Sequence, residues 1–274
     1  MQRHLHGHPH GHPARRKRFA QHFLHDPAVI ERIVHAVSCS SEDHLVEIGP
    51  GRGALTRRLL EAAPRTLDAI EIDRDLAASL RPLAADSRLL VHEADALEFD
   101  FGALARSRGG RLRIIGNLPY NISTPLLFHL LASTAVIRDM HVMLQREVAA
   151  RMAAKAGEPE YGRLTIMLAP WAQVETLFAV GPGAFQPPPR VWSAVVRLTV
   201  RAQPAFEVSE HFATVVAAAF SQRRKTLRNA LRGLLSREQI QAVGLDPGAR
   251  AETLPPQAFN ALAQKLVRSG RVPA

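Results

Sequence analysis

Apolar and polar positions fall into two alternating rhythms from residue 26 onward. In "DPAVIERIVHAV", Ile30, Ile33, Val34 and Val37 recur at helical spacing. Asp26 stands where an N-cap belongs, and Pro27 takes the first helical position, where a missing N–H is harmless. "HLVEIG" follows as a short unbroken apolar run, the pattern of a strand buried on both faces. The exchange then repeats. "ALTRRLLEA" reads as helix, "TLDAIEID" as strand, "DLAASLRPLA" as helix, and "RLLVHEAD" and "RLRIIGN" as strands. "STPLLFHLL" reads as a helix capped by Ser123 or Thr124, "DMHVMLQ" as a fifth strand and "REVAARMAA" as a helix. Short apolar runs alternating with amphipathic helices predict an α/β fold, a parallel sheet with helices on both faces.

After residue 157 the rhythm changes. "YGRLTIMLAPWA" reads as helix, "ETLFAVG" and "SAVVRLTV" as strands, and the stiff "AFQPPPRVW" as the loop between them, so a hairpin closes the sheet. Beyond about residue 204 the strand signal ends, and helices punctuated by Gly244, Pro247, Pro255 and Pro256 remain. The expected organisation is a leader over 1–18, an α/β domain over 19–203 and a small all-α domain over 204–274. The leader "MQRHLHGHPHGHP" has no buried face under either periodicity and reads as disordered. Gly and Pro interrupt its alternating His, and no Cys or carboxylate accompanies them, so no metal site is expected.

Charge adds a partner. Lys and Arg outnumber Asp and Glu by 35 to 25, which favours a polyanion through phosphate neutralisation and counterion release. Two basic clusters stand out: Arg15, Arg16, Lys17 and Arg18, and "SQRRKTLRNALR" with Arg223, Arg224, Lys225, Arg228 and Arg232. The second has no acid in the run and reads as a basic helix suited to the phosphates of a polyanion. Cys39 is the single cysteine, so no intrachain disulfide is possible. No segment approaches the roughly 20 apolar residues of a membrane span, and the start of the chain lacks the apolar stretch of a signal peptide. A cytoplasmic protein is expected. Nothing suggests a dedicated dimer surface, so a monomer is expected too.

The candidate chemistry begins in "VEIGPGRGALT", where Gly49, Gly51 and Gly53 sit between a strand and a helix, as in a nucleotide-binding loop. Glu47 lies in the first strand, Glu71 ends the second and Asp95 follows the third. A carboxylate about 20 residues past a glycine loop is placed to bind both ribose hydroxyls, a role that fits Glu71. Asp95 is then available to an adenine amine. Glu47 adds negative potential that suits a cationic sulfonium better than a pyrophosphate, and the glycines lack G-x-G-x-x-G spacing. S-adenosylmethionine is favoured over a nicotinamide dinucleotide.

The fourth strand ends in Asn117-Leu118-Pro119-Tyr120. An adenine amine is a poor nucleophile because its lone pair is delocalised into the ring. The Asn117 side-chain oxygen and the Leu118 carbonyl are two acceptors that can orient it, which is positioning and electrostatic preorganisation rather than base catalysis. Pro119 fixes the backbone, and Tyr120 offers a face to a base drawn out of its stack.

These residues resemble the S-adenosylmethionine-dependent ribosomal RNA adenine dimethyltransferases, most closely their bacterial small-subunit branch. The likeness runs from about residue 14 to 270 through "ARRKRFAQHFL", "VEIGPGRGALT", "IEIDRDLA", "EADAL", "GNLPYNISTPLLFHLL", "MLQREVAARM", "YGRLTIM", "FQPPPRVWSAVVRL" and "FSQRRKTLRNAL". It implies a Rossmann-like class I methyltransferase fold, with a mostly parallel seven-stranded sheet and a helical C-terminal domain that docks rRNA. It also implies dimethylation of two adjacent adenosines near the 3′ end of 16S rRNA in an immature small subunit. Cofactor contacts carry over to His22, Leu24, Gly49, Glu71, Asp95 and Asn117, with Gly51 in the same loop. The family commonly has Gln-Asn-Phe-Leu where this chain has Gln21-His22-Phe23-Leu24, so the contact made by His22 departs from the pattern. Phe185 in "FQPPPR" is a candidate second face for the base, or a packed loop anchor. The competing readings are a large-subunit rRNA adenine methyltransferase of the macrolide-resistance type and an assembly factor acting mainly by binding. A dinucleotide oxidoreductase is a third, which the glycine spacing disfavours.

Overall fold

The expected alternation is realised in the computed structural model, which describes residues 22–222 and 224–269. The leader, the Arg15 to Arg18 block and Arg223 lie outside the described residues. In chain order the elements are β1 (Phe23–Leu24), α1 (Pro27–Val37), β2 (His44–Ile48), α2 (Ala54–Glu61), β3 (Thr66–Glu71), α3 (Arg74–Ser79), β4 (Leu89–Glu93), α4 (Phe101–Arg108) and β5 (Leu112–Asn117). They continue with α5 (Ser123–Ala132), β6 (Ile137–Gln145), α6 (Arg146–Ala153), α7 (Arg163–Leu168), β7 (Ala172–Val180), β8 (Phe185–Gln186) and β9 (Ser193–Val200). Four helices follow: α8 (Phe212–Ala219), α9 (Leu227–Ala230), α10 (Arg237–Gln241) and α11 (Pro256–Ser269).

Seven strands form one sheet in the order β4-β3-β2-β5-β6-β9-β7. The first five are parallel, and β9 inserts antiparallel between β6 and β7. Strand alternation sends Leu45, Leu67, Ile115 and Met143 to one face, where they pack with Ile30, Ile33 and Leu59 of α1 and α2. Val46, Ile48, Ile114 and Val142 face the other way, against Phe101, Leu104, Leu126 and Leu130 of α4 and α5. A third core joins α8 to α11 with Tyr161 and Ile166 from around α7, and the Tyr161 hydroxyl donates to the Leu254 carbonyl at 2.7 Å.

Asp26 caps α1 as expected, accepting from the Ala28 and Val29 amides. Neither Ser123 nor Thr124 caps α5. Ile122 is the N-cap residue, and Ser123, already helical, donates its hydroxyl back to the Tyr120 carbonyl at 3.1 Å. The helix expected over "YGRLTIMLAPWA" is only Arg163–Leu168, because the chain has entered β7 by Ala172. The basic run is likewise not one helix: α9 covers only Leu227–Ala230, because Leu227 and Leu231 are buried and draw the chain into a turn over the third core.

At the end of β2 opposite the glycine loop, buried Arg113 donates to Asp139 at 2.9 Å, to Asp43 at 2.8 Å and to the Val37 carbonyl at 2.6 Å. These bonds tie α1, β5 and β6 together through a fully partnered charge, the condition under which a buried ion is tolerated. At the other end, Ile48 pairs with Gly116, and a Cβ on Gly116 would lie 2.5 Å from the Ile48 carbonyl oxygen. Two hydrogen-bonded strands cannot part to admit it. Gly116→Ala is therefore expected to destabilise the protein by about 3 kcal/mol, read as a lower Tm and a lower denaturation midpoint; an unchanged midpoint would refute the close approach.

Candidate functional site

The carboxyl ends of β2, β3, β4 and β5 open into a pocket of about 150 Å³. This is where a doubly wound sheet offers a crevice to a ligand. The chain leaves β2 through Gly49, Gly51 and Gly53, with φ of +68°, +56° and +75°, conformations that side chains rarely adopt. The turn brings the Gly51 amide onto the Glu71 carboxylate at 3.1 Å, while the other Glu71 oxygen accepts from the Asp73 amide at 3.0 Å. A Cβ at Gly51 would also lie 2.9 Å from the Phe23 ring, so β1 packs directly over the loop. Burial raises the Glu71 pKa, against the pull of these amides. One Asp95 oxygen accepts from the Leu97 amide at 2.9 Å, holding the carboxylate at the pocket wall.

Glu47 lies beneath this loop, 2% exposed, and its Oε2 accepts no hydrogen bond. Burial pushes its carboxyl up to about 7; the neighbouring Thr56 hydroxyl works against that, and Glu71 adds to it. A buried carboxyl with one unpartnered oxygen at a ligand pocket is a seat for positive charge. The glycine cradle, the fixed Glu71 and this orphaned oxygen fit a cationic nucleoside.

Asn117 ends β5, and its Nδ2 donates to the His22 carbonyl at 2.9 Å. That bond settles which way the amide points and leaves Oδ1 to the pocket side. Leu118 is buried, and its amide donates to the Met143 carbonyl at 2.9 Å. Pro119 follows at the pocket wall. Tyr120 lines the pocket with its hydroxyl in a 2.7 Å hydrogen bond to Ser193 Oγ, so the ring is held from behind. His22 lines the same pocket. Its Nδ1 donates to the Pro187 carbonyl at 2.7 Å, so half of the imidazole is spent holding the proline loop.

The pocket gathers His22, Leu24, Gly49, Gly51, Glu71, Asp95 and Asn117 to Tyr120. Phe185 is elsewhere. It is 1% exposed, in β8 paired with β1, and packs among Leu24, Ile30 and Val195. A ring buried on both faces stacks on nothing, so Phe185 is the loop anchor and not a face for a base. Arg224, Lys225 and Arg228 are exposed around the turn between α8 and α9. Three partners were not legible in the sequence: the His22 carbonyl, which is backbone; Ser193, an ordinary strand residue; and Ile72, 49% exposed at the pocket wall. Only Ile72 carried a signal, an apolar residue beside the ribose-type carboxylate where the strand has ended.

The model of the family "Ribosomal RNA adenine dimethylase" matches residues 13–267. "Ribosomal RNA small subunit methyltransferase A" of Methylococcus capsulatus is 54% identical over 253 residues, covering 92% of this chain and 97% of that protein. The protein of the same name from Pseudomonas aeruginosa is 53% identical over 254 residues, 92% of this chain and 94% of that protein. Among solved structures, the 23S rRNA methyltransferase ErmE superposes with a TM-score of 0.70 at 28% identity, covering 89% of this chain and 99% of that one. The fold is the class I methyltransferase fold, and the likeness to the small-subunit enzymes is far closer than to the 23S enzyme. With its glycine loop, acidic wall and Asn117 motif on one rim, the chain belongs to the ribosomal RNA adenine dimethylases, a family of S-adenosylmethionine-dependent methyltransferases.

Proposed function

We propose that Glu71 holds the ribose hydroxyls of S-adenosylmethionine, Asp95 its adenine amine and Glu47 its positively charged end, with Gly49 and Gly51 allowing the backbone to close in. Bound there, the cofactor supplies an electrophilic methyl group. Asn117 Oδ1 and the Leu118 carbonyl then each accept one hydrogen of the target amine, which turns its lone pair toward the pocket and stabilises the charge that develops on nitrogen. Tyr120, braced by Ser193, provides the face on which the extruded base rests. His22 and Leu24 of the N-terminal segment close the pocket, His22 chiefly through its carbonyl.

The substrate is a pair of adjacent adenosines near the 3′ end of 16S rRNA in an immature small subunit, met by a monomer in the cytoplasm. The exposed Arg224, Lys225 and Arg228 of the helical C-terminal region, with Arg223 and the Arg15 to Arg18 block, hold rRNA phosphates. The α/β part up to residue 203 does the chemistry and residues 204–274 do the docking. What distinguishes the pocket from a generic nucleotide cleft is the Asn117 amide, fixed by the His22 carbonyl at 2.9 Å and thereby aimed at a substrate amine.

Radiolabel from S-adenosylmethionine is expected in small subunits that lack the modification, as dimethyladenosine near the 3′ end of 16S rRNA, and not in large subunits. Asn117→Ala should cut transfer at least about 100-fold, the scale for losing one preorganised polar contact, with RNA binding nearly intact. Equal loss of binding and transfer would sink the catalytic assignment. A cationic ligand favours ionised Glu47, whose carboxyl lies near 7 in the free protein. Cofactor affinity should therefore rise with pH from 6 to 8, by up to about tenfold per unit below the pKa, and Glu47→Gln should flatten the profile. Calorimetric titration across that range checks the sign. Replacing Arg224, Lys225 and Arg228 with Ala should weaken rRNA binding and make the salt dependence shallower by up to about three in log–log slope, measured between 50 and 200 mM salt.

A further inference from the structure

Among the described residues the exposed large apolar side chains are Ile72, Leu90, Val191 and Trp192. Ile72 belongs to the cofactor pocket, and Leu90 stands by itself on the edge strand β4. Val191 and Trp192 are neighbours, 44% and 50% exposed, just before β9 begins. Their position is fixed from three sides. The Arg146 amide donates to the Trp192 carbonyl at 2.9 Å, tying the residue to the end of β6. Gly181, at the end of β7, offers bare backbone to the indole: a Cβ there would lie 3.6 to 3.9 Å from its six-membered ring. The next residue, Ser193, is fully buried and holds the Tyr120 hydroxyl at 2.7 Å. The indole is thus a seated ring, one residue from the partner of the base-facing tyrosine, on the rim of the sheet where β5 and β6 end.

Its surroundings are cationic. The Arg146 guanidinium lies 6.0 Å from the indole ring centre, and Arg190 is exposed two residues before it. Neither arginine is within ion-pair distance of a described carboxylate, whereas nearby Arg151 is paired with Glu147. A flat aromatic beside unpaired arginines is the composition of a single-strand nucleic-acid platform, in which the ring takes a base and the cations take the backbone.

We propose that Trp192 is a second base-binding residue: it stacks an unpaired nucleobase adjacent to the adenosine at Tyr120, while Arg146 and Arg190 contact the flanking phosphates. The proposal rests on the rRNA reading of the pocket and extends it from one base to two. Two neighbouring adenosines of one strand would then exchange places between Tyr120 and Trp192 as each is modified. Trp192 does not touch the reacting atoms; it positions the strand.

Two measurements test it. On small subunits lacking the modification, Trp192→Ala should raise KM about tenfold and leave kcat within about twofold, Trp192→Phe should restore most of the loss, and cofactor affinity should not move. A KM for Trp192→Ala equal to that of the parent overturns the proposal. The chain has two tryptophans, so Trp171→Phe leaves Trp192 as the sole indole. Single-stranded oligoadenylate should quench its fluorescence, and a duplex of the same length should not; absence of quenching also overturns the proposal. If the parent enzyme fails to methylate small subunits, the rRNA reading falls, and the quenching experiment still decides the role of Trp192.

Discussion

The approach of β2 to β5 at Ile48 and Gly116 is the constraint on which the site depends. Gly116 has no room for a Cβ against the Ile48 carbonyl, and each of the two strands runs directly into one half of the proposed site. Gly49 begins the cofactor loop and Asn117 begins the substrate motif, and a Cβ on Gly49 would lie only 3.7 Å from the Asn117 carbonyl oxygen. Methyl donor and acceptor must meet within a bond-forming distance, so a spread of even 1 Å between these strands would act directly on the rate. A backbone contact inside a sheet supplies more rigidity than two loops touching across a cleft.

The short N-terminal strand completes the arrangement from outside. β1 pairs with β8, placing Phe23 over Gly51 and the His22 carbonyl against the Asn117 amide. Phe185 is buried in that pairing, which is why it anchors the β1–β8 pair and offers no face to a base. The His22 imidazole fastens the same segment to the Pro187 carbonyl.

Charge is divided between the two ends of the molecule's task. The pocket is acidic, with Glu47 and Glu71 held at raised pKa by burial, a setting that rewards a cationic cofactor. The outer surface carries exposed cations, among them Arg146, Arg190, Arg224, Lys225 and Arg228, and so differs in sign from the pocket.

Hydrophobic periodicity, the glycine spacing and the acids at successive strand ends determined, from the sequence alone, the α/β class, the cofactor type and the position of the Asn117 motif. Those features are local, and a local pattern is sufficient where one strand and its own turn make the contact. The strand order that inserts β9 between β6 and β7, the shortness of α7 and α9, the placing of the α5 N-cap at Ile122 and the burial of Phe185 were decided only in three dimensions. So were the His22 carbonyl and Ser193 as partners of Asn117 and Tyr120, 95 and 73 residues away in the chain. Pairings of that separation depend on which faces are left to bury once the core has closed, and backbone carbonyls, present at every residue, carry no sequence signature at all.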